Sequence, residues 1–81
     1  MQRFEQRKVA ALTKTTDATR RLRQAEIDVE TAVARSMHWG ATWVDVAAAL
    51  GVTPQAAHKR FRHVRYDPAS GRAWREPPLP I

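Results

Sequence analysis

Gly51-Val52-Thr53-Pro54 separates two short stretches of helical periodicity, and this break restricts the fold more than any other feature of the chain. Before it, Trp43, Val46, Ala47 and Leu50 fall on one face of a helix predicted over residues 42–50. Thr42 and Asp45 form a capping-box-like pair, with Asp in place of the usual Glu. After the break, Ala57, Phe61 and Val64 share one face of a helix predicted over residues 54–64. Thr53 is its expected N-cap, and Pro54 sits at the first helical position, where a missing N–H costs nothing. Two helices joined by so short a turn must cross steeply. A close crossing needs small side chains where the helices meet, and Ala47 and Ala57 supply them. Gly51 permits the turn, and Val46, Leu50, Val52 and Phe61 are expected to fill the wedge between the helices.

The rest of the chain is read outward from this pair. Residues 17–38 predict a long helix, because Ala18, Leu22, Ala25 and Val29 recur at spacings of three and four. The pattern continues through Ala32 or Val33 and Ser36 or Met37. Thr16 is its expected N-cap, Asp17 suits the first turn, and Gly40 suits the C-terminal position. Such a helix is longer than the short segment behind it can cover. A second copy of the chain or the N-terminal segment folded back would cover the excess. Residues 1–16 are basic, and the Thr13-Lys14-Thr15-Thr16 stretch has poor helix propensity. A helix either breaks there or runs through weakly.

Beyond residue 64, Asp67-Pro68-Ala69-Ser70-Gly71 is a strong turn signal. Val64-Arg65-Tyr66 and Arg72-Ala73-Trp74-Arg75 flank it, which predicts a β-hairpin with Tyr66 and Trp74 paired across it. The alternative is a basic tail packed on the first helix. Residues 77–81, with three prolines, cannot be helical. The expected fold is mainly α and a single domain over residues 1–81: a long N-terminal helix, a helix-turn-helix over 42–64, and a C-terminal hairpin or basic tail.

Charge divides the chain in the same places. Residues 1–23 carry seven Lys or Arg against Glu5 and Asp17, net +5. Residues 24–57 are net −3, and residues 58–81 are net +4. Basic ends attract a polyanion, of which nucleic acid is the common one. The chain has no cysteine, which excludes disulfides and thiolate metal sites and fits a cytoplasmic location. No apolar run is long enough to span a bilayer, and MQRFEQRK lacks the apolar segment of a secretory signal. His38, His58 and His63 lack metal-ligand spacing, and no paired carboxylates or phosphate loop are visible. Neither an enzyme activity nor a cofactor, metal or small-molecule ligand is expected.

The run Trp43-Val-Asp-Val-Ala-Ala-Ala-Leu-Gly-Val-Thr-Pro-Gln-Ala-Ala-His-Lys-Arg-Phe61 resembles the helix-turn-helix of sigma-factor region 4 and of small bacterial regulators built on it. The resemblance covers residues 42–62 and does not extend to residues 1–37, so promoter recognition as a sigma factor does not follow. It implies that the first helix supports and the second enters the major groove.

A projection at 100° per residue gives an independent reading. With Ala57, Phe61 and Val64 directed inward, Gln55, Lys59 and Arg62 point outward and His58 lies on the flank. Gln suits adenine, Arg and Lys suit guanine, and His suits either base or phosphate. Thr53 and the N–H groups at the helix start suit phosphate, as do Arg60 and Arg65 at the sides. If the hairpin is a wing, Arg65, Arg72 and Arg75 are placed to touch backbone or minor groove. Trp39 and Trp43 are expected to pack in the core.

Sequence-specific binding of double-stranded DNA for transcriptional control is therefore the expected function, as a homodimer through Leu22, Val29 and Val33. Such a dimer would set its recognition helices about 34 Å apart. The rivals are a protein-binding adaptor that uses the helix-turn-helix as a scaffold, and nonspecific architectural binding through the basic ends.

Overall fold

The computed structural model describes residues 3–77, which form α1 (Arg3–His38), α2 (Trp43–Leu50), α3 (Pro54–Phe61), β1 (Val64–Asp67) and β2 (Arg72–Arg75). The long N-terminal helix, the two short helices and the antiparallel hairpin match the expected mainly α architecture. The remaining residues of the proline-rich tail, 78–81, lie outside those described.

α1 is a single helix of 36 residues and does not break at Thr13–Thr16. Thr16 is therefore not an N-cap. It sits inside the helix, and its hydroxyl donates to the Leu12 carbonyl at 3.1 Å. Thr13, Thr15 and Thr19 do the same to the carbonyls four residues earlier, at 3.0, 2.9 and 2.9 Å. Back-bonding of this kind satisfies each hydroxyl within the helix, at a small cost to helix stability. The helix ends at Gly40, whose φ of 98° lets the Ala41 N–H reach back to the Ser36 carbonyl at 2.9 Å.

α2 begins with a full capping box. Thr42 Oγ1 accepts from the Asp45 N–H at 3.2 Å, and Asp45 Oδ2 accepts from the Thr42 N–H at 2.9 Å. Gly51 closes α2 at φ 72°, its N–H donating to the Ala47 carbonyl. Thr53 then caps α3 through the Ala56 N–H at 3.1 Å, with Pro54 at the start. α3 stops at Phe61, three residues short of the expected end. Val64 is buried as anticipated, but as the first residue of β1, where a β-branched side chain packs well.

The core lies entirely between residues 33 and 64: Val33 and Ala34 from α1, Val46 and Ala47 from α2, Ala57 and Phe61 from α3, and Val64. Ala47 and Ala57 are 2% and 1% exposed, so the small residues sit in the contact between the short helices. Phe61, 2% exposed, is the largest side chain fully enclosed. Val52 does not fill the wedge. It occupies the turn, its N–H bonded to the Ala47 carbonyl, with its side chain 46% exposed. Trp39 is not in the core either, at 72% exposed. It follows the last turn of α1 on the side opposite Val33 and Met37.

The hairpin packs against α1. Val64 pairs with Arg75, Arg65 with Trp74, Tyr66 with Ala73 and Asp67 with Arg72. Tyr66 and Trp74 are thus not cross-strand partners; this register puts them on opposite faces of the ribbon. Asp67 organises the turn: its carboxylate accepts from the Ala69 N–H at 3.0 Å and the Ser70 hydroxyl at 2.8 Å. Arg75 Nε donates to Glu30 Oε1 at 2.8 Å, and Arg75 Nη2 meets the same oxygen, tying the hairpin to α1.

The result is elongated. Its extents are 57 × 31 × 26 Å and its radius of gyration is 18.1 Å. A compact chain of this length would have a radius of gyration of about 12 Å. The difference is the N-terminal part of α1, which projects beyond the packed unit.

Candidate nucleic-acid interface

α3 presents its outward face because its inward face is fully used. Ala57 and Phe61 are buried against α2 and α1, which fixes the rotation of the helix. Gln55, Lys59 and Arg62 are exposed. Among the described residues their side chains make no hydrogen bond or ion pair with the rest of the chain. Two donor-bearing groups on α3 and a third at its C-cap, Arg62, are thus unengaged along one side. The helix is about 12 Å long, and a B-form major groove is about 12 Å wide and accepts an α-helix.

The other expected residues divide by what they touch. His58 stands edge-on to the Trp43 ring, with centroids 5.2 Å apart and planes at 88°, so its orientation is set by α2. Trp43 is half-buried and acts as the anticipated packing residue. Arg60 lays its guanidinium 4.8 Å from the centre of the Phe61 ring, and its carbonyl accepts from Arg75 Nη1 at 3.3 Å. Arg65 is fully engaged. Its Nη1 donates to the Arg62 and Val64 carbonyls at 2.9 and 3.1 Å, and its Nη2 pairs with Glu76 at 2.7 Å.

The start of α3 offers less to an anion than the sequence implied. Pro54 has no N–H, the Ala56 N–H is taken by the Thr53 hydroxyl, and the Ala57 N–H by the Thr53 carbonyl at 3.0 Å. Only the Gln55 N–H is left unpartnered in the first turn. Thr53 itself serves as the cap.

The hairpin exists, and it packs on the first helix. Of its three arginines, Arg75 is paired with Glu30 and Arg65 with Glu76. Arg72 makes no ion pair among the described residues. Two exposed aromatic side chains adjoin these elements, Trp39 at 72% and Trp74 at 51%. The sequence reading missed both as surface features. Helical projection of Trp39 against Val33 and Met37 was the signal available for the first. For Trp74 the signal was hairpin register, which no local pattern specifies. No group of three or more potential metal ligands occurs among the described residues, and no helix is long and apolar enough to cross a membrane.

No family model matches the chain, and neither a curated protein nor a solved structure matches it.

Proposed function

We propose that this chain binds double-stranded DNA in a sequence-specific manner, with α3 in the major groove, and acts as a small transcriptional regulator. The observation that carries the reading is the unengaged outward row of Gln55, Lys59 and Arg62 on a helix locked in place by Ala47, Ala57 and Phe61. Gln55 and Arg62 have the donor and acceptor chemistry to read adenine and guanine edges, and Lys59 lies between them. His58, braced by Trp43, and Arg60, resting on Phe61, flank that row and suit phosphate or sugar contacts. α2 supports from behind, and the capping box at Thr42 holds its start rigid.

Selection from a random duplex library, followed by affinity measurements at several salt concentrations, tests the proposal. A single enriched motif is expected. Arg62→Ala should weaken binding to it by about 1–3 kcal/mol and relax preference at one position. Gln55→Ala should relax preference elsewhere while leaving the salt slope nearly unchanged. If both variants bind every duplex as the wild type does, α3 does not read bases.

A further inference from the structure

The projecting part of α1 raises a physical difficulty that the packed unit does not. From Arg3 to Asp28 the helix has almost no tertiary cover, and Phe4, Leu12, Leu22 and Ile27 are 80%, 58%, 60% and 54% exposed. A helix in water draws most of its stability from packing one face. Phe4 and Leu22 share one face of it, while Leu12 and Ile27 lie to one side of that face. From Phe4 to Ser36 the helix carries a seam whose positions advance by alternating steps of four and three residues, through Leu22 and Val29. The intervening seam positions are alanine or threonine, and Lys8 is the one charge among them. A repeat of 3.5 residues sustained over this length has the spacing of a coiled-coil seam. The chain's own core uses the neighbouring flank, Val33, Ala34 and Met37, so Val33 is not the interface residue expected from the sequence, and the seam residues Ala32 and Ser36 stay exposed.

We propose that the seam is covered by the α1 of a second copy of this chain, running antiparallel, with Phe4 of each copy seated in the groove between α1 and α2 of the other. Three observations set this arrangement. The first is charge. Residues 3–14 are net +3 and residues 26–37 are net −2, so an antiparallel pair sets unlike charges side by side and a parallel pair sets like charges together. The second is register. Aligning the full seams places Phe4 level with Ser36, Lys8 with Ala32, Ala11 with Val29 and Ala18 with Leu22, so each larger side chain meets a small one. The third is the landing site. Phe4, the most exposed large apolar side chain among the described residues, arrives at an open groove of about 230 Å³, lined by Val29, Ala32 and Ser36 of α1 and Val46, Ala49 and Leu50 of α2. The lining of that groove is mainly apolar. The alanines allow the two helix axes to approach closely.

This pairing does not rest on the DNA reading. In this register the two packed units, seated on residues 29–38 of each copy, lie about 40 Å apart along the helix axis.

Light scattering across a concentration series gives the first test. A particle of twice the 9.2 kDa chain mass is expected. Leu22→Glu and Phe4→Asp alter side chains that are exposed in the single chain, so the packed unit stays folded. Each should weaken association at least about tenfold. Direction is tested by oxidation of single-cysteine variants in a chain that has no native cysteine. Lys8→Cys mixed with Ala32→Cys should form a disulfide-linked pair, while neither should cross-link with itself. A monomeric wild type at high micromolar concentration leaves the seam to some other protein and overturns the proposal. So does an unaffected dimer in Leu22→Glu, or self-linking of Lys8→Cys, which requires parallel helices.

Discussion

The two ends of α1 are made of the same secondary structure and are stabilised in different ways. Residues 3–28 form helix through local terms: propensity and the exposed ion pairs Glu5–Lys8 at 3.0 Å and Asp17–Arg20 at 3.4 Å. Exposed pairs of that kind contribute only a few tenths of a kcal/mol. Residues 29–38 form helix and also supply Val33 and Ala34 to the core, with Val29 and Met37 beside them. There the same backbone is held from outside by α2, α3 and the hairpin. The comparison teaches that helical periodicity and burial are separate properties. One seam of mostly small and apolar residues runs the full length of α1, but only its last third meets the rest of the same chain.

The largest effect that would sharpen this contrast is loss of the core aromatic. Phe61→Ala should destabilise the packed unit by about 3–5 kcal/mol, read from denaturant unfolding by circular dichroism. A cost below that of an ordinary surface change would mean that the short helices do not depend on this core. Threonine substitutions come next, because their sign differs between the regions. Thr53→Ala removes the cap of α3 and should cost about 1 kcal/mol. Thr16→Ala, in the middle of the uncovered helix, should be neutral or stabilise by up to about 0.7 kcal/mol. Equal losses at both sites would restore a helix start at residue 16 and break the comparison.

The smallest effect is on acid sensitivity, and it belongs to the packed unit alone. The Thr42 backbone N–H, followed by the Thr42 hydroxyl, holds the Asp45 carboxyl below its usual range. The Ser70 hydroxyl, followed by the Ala69 N–H, does the same for Asp67. A carboxylate with a lowered folded-state pKa contributes stability that is present above its unfolded value, about 3.9, and is lost as pH falls through the folded value. The double variant Asp45→Asn, Asp67→Asn should therefore show a flatter stability profile than the wild type below about pH 4. Asp45 is exposed and Asp67 only half-buried, so the difference is small, and an unchanged profile would show that these hydrogen bonds do not discriminate the charged form.

Much of this was legible because it rests on local chemistry. Thr42 with Asp45, Gly51, and Thr53 with Pro54 mark helix ends through hydrogen bonds and backbone angles that reach only a few residues. The outward row on α3 followed from periodicity, since burying Ala57 and Phe61 turns Gln55, Lys59 and Arg62 outward. Propensity misjudged Thr13–Thr16, where the helix runs through with the Thr13, Thr15 and Thr16 hydroxyls bonded to carbonyls four residues back. Charge counting identified Arg65 and Arg75 as cations, but it could not show that Glu76 and Glu30 hold them.

The chain's sequence by itself determined where α1 stops, where α2 starts and stops and where α3 starts, which small residues let two helices touch, and which side of α3 is polar, because those properties are set by neighbours within a turn or two. Only the tertiary structure decided that Tyr66 faces Ala73, that Trp39 and Val52 lie outside the core, and that the hairpin's arginines reach across to carboxylates as distant as Glu30. Those outcomes depend on contacts between residues far apart in the chain, whose distances are set by the packing of whole elements and by no local pattern.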